Sequence, residues 1–549
     1  MHYVIIGQFG PEFPFDITSW IDNLSGVIFD ITILFLTFIF ITWKRPKATI
    51  CIAYIITLIW AFCNILYSRF FHSYLSLSAI EQSHSILDPI VIKSAFHGFR
   101  WSDIFFIVSP LTFYYNFKKT SRTSLYHIIS TPTTCLACIF ILDFIAHAIY
   151  CISVPQFRYI SYYEERLTNR HLSKLYTFCE PRRATYHRGS IRTLIIEALD
   201  AIHDPIQLSE NQKQAIQEAI KTTRNSMVLN TDNESSIQNV IFIIVESYMS
   251  FTSGLTINGK EITPYLNKLR EDSSIYYNGQ VEPNITIGES ADGQYIYMTG
   301  LLPLRSVITI SKAQNKTLPG LPKIAIKKGM NSRMIIPTQS SMWNQSIMCK
   351  QYGFDVLHSC DDYPKKYDTL NDQQIFEFAS SIDKKSKDHF FSVILTMSMH
   401  QPYDTILDES FIIQDSTISD ELKCYLNTCH YMDKQLGLYI ERLKDYDLYN
   451  NSLIIITADH HVHNTSFGPH IKNDLPLYII NGGFNNKEAW HGQCNQIDVY
   501  TTILDILNLS PTWCGLGHSL LSSDYYNSLS DTKWDISEWI LRSDFFNKE

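Results

Sequence analysis

NVIFIIVES (Asn239–Ser247) and NSLIIITADHH (Asn451–His461) decide the fold of this 549-residue chain. Each is a short apolar run that stops at side chains able to ligate a metal: Glu246 in the first, Asp459 and His460 in the second. FSVILTMSMH (Phe391–His400) has the same shape and ends in His400, and SRMIIPT (Ser332–Thr338) is a fourth run. Helical patterns such as TPYLNKLRED (263–272) and DELKCYLNTCHYMDKQLGLYIERLKD (420–445) separate them. Strands apolar on both faces, alternating with helices, predict an α/β domain with a mostly parallel sheet sandwiched by helices. In such sheets ligands bind beyond the carboxyl ends of the strands. Glu246, His400, Asp459 and His460 all fall there. Taken singly, each reads as well as a capping or solvated side chain. Three runs ending in Glu, His and Asp-His form a constellation. Carboxylate and imidazole donors together suit a divalent transition ion such as Mn or Zn. Such an ion polarises a phosphoryl oxygen and activates a hydroxyl nucleophile.

Upstream of this domain the chain changes character. Leu24–Trp43 is an apolar stretch whose only charge is Asp30, Ala48–Tyr67 has no charge, and Ile128–Val154 carries only Asp143. About 20 apolar residues cross a ~30 Å hydrocarbon core, so each is long enough to span. Ile104–Phe117 is shorter and ambiguous by itself. The basic clusters Lys44–Lys47 and Lys118–Arg122 favour the cytoplasmic side. Both lie inside only if Ile104–Phe117 also spans. Residues 1–154 therefore read as an anchor of about four transmembrane helices (24–43, 48–67, 104–117, 128–154). Residues 155–238 read as an amphipathic helical linker and 239–549 as the extracytoplasmic catalytic domain. Met1–Asn23 has no signal-peptide layout. A net charge of −9 leaves no basic footprint for nucleic acid. A hydrophobic fraction of 45% excludes a disordered chain.

The motif series resembles a known family. NVIFIIVES, TPYLNKL, GESADGQ (288–294), a Trp-Asn pair, LTMSMHQPY (395–403), TADHH and QIDVYTTILDILNL (496–509) occur in the order typical of sulfatase-like enzymes of the alkaline phosphatase superfamily. Within it the chain is most similar to membrane-bound phosphoglycerol transferases of the lipoteichoic acid synthase type. The resemblance covers about residues 239–515, and the helical front matches in layout. It implies an alkaline phosphatase-like fold. It assigns Glu246, Ser290, Asp459 and His460 as metal ligands, with Ser290 as nucleophile in the place usually held by Thr. His400, Trp343 and Gln345 fall at substrate-binding positions, and His491 is a further candidate. The chain departs from the pattern twice: Gln345 stands where the family has Arg, and Glu289 where it has Lys before the nucleophile. Both changes remove positive charge beside an anionic substrate and bear on head-group identity.

The implied function is transfer of a phospholipid head group, phosphoglycerol first, to an envelope acceptor through a phospho-serine intermediate. The implied cofactor is a divalent ion, Mn2+ ahead of Zn2+ or Mg2+. The implied partners are a membrane phospholipid donor and a glycan or lipid acceptor, at the outer face of a bacterial cytoplasmic membrane. Phosphoethanolamine transfer, or hydrolysis as a phosphodiesterase or sulfatase, are alternatives within the superfamily. A non-catalytic envelope protein that binds lipid or glycan is the alternative of a different class. Cys179–Arg183 (CEPRR) fits the minimal C-x-P-x-R sulfatase signature, but it precedes the first metal-binding strand and reads as a basic juxtamembrane segment. Cys349 with Cys360 is a candidate disulfide among the cysteines beyond the anchor.

Overall fold

The computed structural model describes residues 30, 46–71, 74–81, 99–118, 185, 189–202, 205–229, 237–305, 307–401, 403, 407–462, 467 and 471–548. The chain divides into two compact units, one of residues 1–86, 91–204 and 305–307, the other of residues 87–90, 205–304 and 308–549.

In the first unit, helix α1 (Pro46–Phe71) contains Ala48–Tyr67, and α2 (Ile104–Lys118) contains Ile104–Phe117. Tyr54 stacks on Phe113 at 3.9 Å and donates its hydroxyl to Ser109 Oγ at 2.9 Å. A buried ion pair joins Arg69 to Asp103 through bonds of 2.6 and 2.8 Å. Helix α3 (Ser190–Ile202) begins on Asp30, whose carboxylate accepts the backbone N–H groups of Ser190 and Ile191. Among the described residues no helix is long and apolar enough to cross a membrane. The last turns of α1 carry polar side chains: Asn64 accepts from the Leu75 N–H, and Ser68 and Arg69 follow. Helix α2 has 15 residues and contains Pro110. Two expected spans, Leu24–Trp43 (apart from Asp30) and Ile128–Val154, lie outside the described residues, as does Cys179–Arg183.

The second unit opens with α4 (Glu210–Asn225), started by a capping box in which Ser209 and Gln212 each satisfy the other's backbone N–H. Its core is an eight-stranded sheet. The strands are β1 (Asn239–Val245), β2 (Tyr276–Glu282), β3 (Asn331–Ile335), β4 (Val356–His358), β5 (Phe390–Leu395), β6 (Ser452–Ala458), β7 (Leu475–Ile480) and β8 (Cys494–Asn495). Their order across the sheet is β8-β2-β7-β6-β1-β5-β3-β4. The pairings of β1 with β5 and β6, of β3 with β4 and β5, and of β8 with β2 are parallel. Strand β7 runs antiparallel to both neighbours, so the sheet is mixed. The four runs read from sequence are the contiguous strands β6, β1, β5 and β3. Strands β1, β5 and β6 are buried along their whole length, as their unbroken apolar sequences require.

Strand β7 was less legible because it contains Pro476, which cannot donate to a ladder. The structure accommodates it opposite a bulge in β2, where Gly279 and Gln280 face one residue of β7. Helices α5 (Pro264–Glu271), α6 (Ser290–Thr299), α7 (Gln345–Tyr352), α8 (Asp372–Asp383), α9 (Asp420–Asp445), α10 (Asp498–Ile506) and α11 (Asp531–Ser543) complete the domain. Helix α9 packs against α5 and α8, α6 against α10, and α4 against α11. Cys349 and Cys360 are both buried, and no disulfide joins them.

A buried ion pair fastens the helices to the sheet. Arg333 of β3 meets Asp383 at the end of α8 at 2.5 Å, and Tyr439 of α9 donates to the other carboxylate oxygen at 2.7 Å. Removing the carboxylate strands a buried guanidinium. Asp383→Ala should therefore lower unfolding stability by about 3–5 kcal/mol in denaturant titration. A loss below about 1 kcal/mol would show that the pair does not hold these elements.

Candidate metal centre

Parallel pairing in register puts Val245 opposite Ala458. The next residues, Glu246 and Asp459, therefore leave adjacent central strands at the same end of the sheet. Both are buried, as is His460. Donor atoms of these three lie within 4.8 Å of one another, as in a site built for one ion. His460 Nε2 is 3.3 Å from Glu246 Oε1 and 3.7 Å from Asp459 Oδ2.

Supporting groups fix each donor. Ser247 turns the chain in the left-handed region (φ 50°). Its N–H donates to Asp459 Oδ1 at 2.9 Å and its hydroxyl to Glu246 Oε1 at 2.9 Å. Tyr425 of α9 pins the same turn by donating to the Ser247 carbonyl at 2.9 Å. The His460 N–H also binds Asp459 Oδ1, at 2.8 Å. One oxygen of Asp459 is thus taken by backbone donors, and the other is presented to the site. His460 Nδ1 lies 2.8 Å from the His461 carbonyl, which can only accept, so Nδ1 carries a proton. That bond orients the ring with Nε2 toward the carboxylates, the arrangement in which an imidazole ligates a metal. Gln496 donates to the Asp459 carbonyl at 2.7 Å and steadies the loop from behind.

Ser290 opens α6 and completes the cluster. Its Oγ is 3.0 Å from His460 Nε2 and 3.3 Å from Glu246 Oε2. Helix α6 rests directly on the end of β6: a Cβ added to Gly293 would lie 2.3 Å from the Asp459 carbonyl oxygen. Only glycine permits this approach.

The electrostatics show what the cluster lacks. Burial pushes all three groups toward their neutral forms. For Glu246 this is outweighed by the hydrogen bond and charge of His460, with help from His400 and Ser247, and its carboxyl is held below the usual carboxylate range. Asp459 is pushed up, by burial first and then by the charge of Glu246. Burial opposes a charge on His460, but Asp459 and Glu246 overrule it and raise its pKa well above the usual value. Two carboxylates thus retain a proton on the imidazole between them. A divalent cation meets the same demand, and the donor set of carboxylate oxygens, imidazole nitrogen and a serine hydroxyl fits one.

The other candidate residues divide. His400 follows β5 at the same sheet end, and its charge acts on Glu246, while its Nδ1 lies 2.6 Å from the Gln401 carbonyl. Trp343 and Asn344 both take left-handed conformations leading into α7. Gln345 is buried and donates to Gln294 of α6 at 3.0 Å, so its amide braces the helix that carries Ser290. His491 is not brought to the cluster. Its nitrogens lie 3.2 and 2.7 Å from the carbonyls of Tyr277 and Asn486, and its ring packs on Tyr276. Tyr277 is level with Tyr478 of β7 and Ile456 of β6, so His491 sits beside the body of the sheet rather than at the strand ends that carry the cluster. Sequence reasoning missed Ser247, Gln496 and Gly293. Gly293 lies inside the quoted GESADGQ and Gln496 opens the quoted QIDVYTT, but only the fold shows what they touch.

Residues 238–509 match the model of the Sulfatase family, and residues 7–169 match that of the lipoteichoic acid synthase N-terminal domain. The chain is 25% identical over 363 residues to lipoteichoic acid synthase 2 of Bacillus subtilis, covering 59% of this chain and 55% of that relative. It thus spans little more than half the length of that relative. Its fold is similar to that of the lipoteichoic acid synthase LtaP from Listeria monocytogenes, with a TM-score of 0.51 at 19% identity over 60% of this chain and 98% of that one. It is also similar to the integral membrane lipooligosaccharide phosphoethanolamine transferase A from Neisseria meningitidis, with a TM-score of 0.51 at 13% identity over 94% and 96%.

Glu246→Gln and His460→Ala should each weaken Mn2+ binding, read by isothermal titration. The loss should exceed the ~10–100-fold typical of groups that merely support a ligand. A titration like that of the unsubstituted protein from either variant would remove that residue from the ligand set.

Proposed function

We propose that this chain, whose residues 238–509 match the model of the Sulfatase family, is a membrane-anchored, metal-dependent phosphotransferase. It moves a phospholipid head group, phosphoglycerol first, to an envelope acceptor through a phospho-Ser290 intermediate. The observation that carries this reading is the placement of Ser290 Oγ 3.0 Å from His460 Nε2 and 3.3 Å from Glu246. A hydroxyl is a weak nucleophile at its ordinary pKa and needs such a setting to react.

Glu246, Ser290, Asp459 and His460 would hold the ion, Mn2+ ahead of Zn2+ or Mg2+. When bound, it lowers the pKa of the Ser290 hydroxyl and offsets charge on the phosphoryl oxygens. Ser290 Oγ attacks phosphorus, and the bond from phosphorus to the diacylglycerol oxygen breaks. Ser290 loses one proton and the leaving alkoxide gains one, so the step is proton-neutral. His400, at the same end of the sheet, is suited to deliver that proton. The acceptor hydroxyl then attacks the phospho-Ser290 phosphorus, and the Ser290 hydroxyl is restored. Gln345 and Trp343 would contact the donor from the α7 side, as the family resemblance implies.

The membrane anchor belongs to this proposal. It is supported by the apolar stretches in residues 24–154 and the match of residues 7–169 to a lipoteichoic acid synthase N-terminal domain. An exposed apolar row on α1 (Ile52, Ile55, Ile56, Ile59), with Phe105 and Leu111 on α2, supports it further. An anchor confines the catalytic domain to the surface that supplies the donor lipid, the outer face of the bacterial cytoplasmic membrane. A second reading for the head group rests on Glu289. Its carboxylate precedes the nucleophile and its charge acts on His460 and Tyr403. A negative group there favours an ammonium-bearing donor, and so phosphoethanolamine.

Incubation with labelled phospholipids followed by mass spectrometry should place the head-group phosphate on Ser290, and its mass identifies the head group. Ser290→Ala should lose roughly 10³-fold or more in turnover. Full Mn2+-dependent turnover by this variant would contradict the assigned nucleophile. Lipid binding without turnover by the unsubstituted chain would support a non-catalytic envelope protein.

A further inference from the structure

The segment that delivers Ser290 is wound around one buried carboxylate. Asp292 lies in the first turn of α6 and is fully buried. Its Oδ2 accepts the Thr286 N–H at 2.9 Å and the Gly288 N–H at 3.0 Å. It also shares the single Thr286 hydroxyl proton with the Leu304 carbonyl, at 2.8 and 2.7 Å. Gly288 lies directly under the carboxylate: a Cβ there would fall 2.3 Å from Asp292 Oδ1. Between this bound turn and the helix stands Glu289, with φ 47° and ψ −119°. Non-glycine residues rarely adopt that conformation, and it persists only where the surroundings over-determine it.

The surroundings do so from both sides. Upstream, Asp292 holds residues 286–288. Downstream, the Ala291 N–H donates to the Gly288 carbonyl and the Gly293 N–H to the Glu289 carbonyl, both at 3.0 Å. Gly293 is seated against Asp459. The result is a sharp elbow with Ser290 at its tip, facing His460. None of the bonds made by Asp292 reaches the metal cluster.

We propose that Asp292 is the positioning residue for the Ser290 hydroxyl, which it aims for attack by binding the Thr286–Gly288 turn and enforcing the strained junction at Glu289. The inference rests on Ser290 being the nucleophile. Deleting the carboxylate lets the elbow relax and swings the hydroxyl off line. An amide keeps an accepting oxygen in the same place and keeps the elbow.

The test uses the full chain in detergent, with fluorescent phosphatidylglycerol as donor and Mn2+ as the ion. Asp292→Ala should lower kcat by about tenfold or more, since a misplacement near 1 Å costs up to ~10²-fold. KM and the amount of Mn2+ bound at saturation should stay unchanged, and phospho-Ser290 should accumulate more slowly. Asp292→Asn should recover to within about threefold of the starting kcat, because the accepting oxygen is retained. If Asp292→Ala does not fold, Thr286→Val removes one donor alone and should still lower kcat by about threefold. An unchanged kcat in Asp292→Ala or Thr286→Val, or an equal loss in Asp292→Asn and Asp292→Ala, overturns the inference. Ser290→Ala is run alongside. Turnover retained by that variant overturns the nucleophile assignment instead, and is distinct from an Asp292 failure against an inactive Ser290→Ala.

Discussion

Glu246 and Asp459 are held side by side where two central parallel strands stop, and the site follows from that enforced proximity. The register that sets Val245 against Ala458 leaves the two carboxylates no way to separate. Both are buried, so water cannot screen them. Their repulsion must be answered by positive charge from within the protein or from an ion. His460 answers it in part, by keeping its proton between them. The turn at Ser247, the carbonyl of His461 and the amide of Gln496 hold each group in the geometry in which one cation would satisfy all three.

The same proximity explains the nucleophile. A serine brought within 3.0 Å of His460 Nε2 shares the electrostatic field that draws the ion. Bringing it there requires a helix laid almost on the backbone of Asp459, which Gly293 permits, and a sharp elbow before it, which Asp292 and Gly288 sustain. The strained residue, Glu289, sits at the junction of these two demands. Strain at such a point is the usual cost of fixing a reactive group in one orientation.

Much of this was legible in the sequence because the strands that carry ligands are the most deeply buried. NVIFIIV, FSVILT and SLIIITA argue for strands covered on both faces, and their terminal Glu, His and Asp-His fall where parallel sheets place ligands. Ser290 was legible through the motif GESADGQ, which resembles a family pattern. Strand β2 (YYNGQVE) was not, because its polar residues and Gly279 describe a bulged strand rather than a core one. His491 lies close in sequence to QIDVYTT, yet it is held beside Tyr277, whereas Gln496 just past β8 reaches the Asp459 carbonyl. Gln345 occupies a position that resembles a substrate contact, yet its amide is engaged by Gln294, a pairing that no spacing rule reports.

The central claim is that Glu246, Ser290, Asp459 and His460 together hold one divalent ion. Anomalous X-ray scattering from crystals grown with Mn2+ tests it most directly. The account predicts a single strong peak at about 2.0–2.3 Å from a carboxylate oxygen of Glu246 and of Asp459, from His460 Nε2 and from Ser290 Oγ. No peak at the ends of β1 and β6, or a peak coordinated without Ser290, would contradict it.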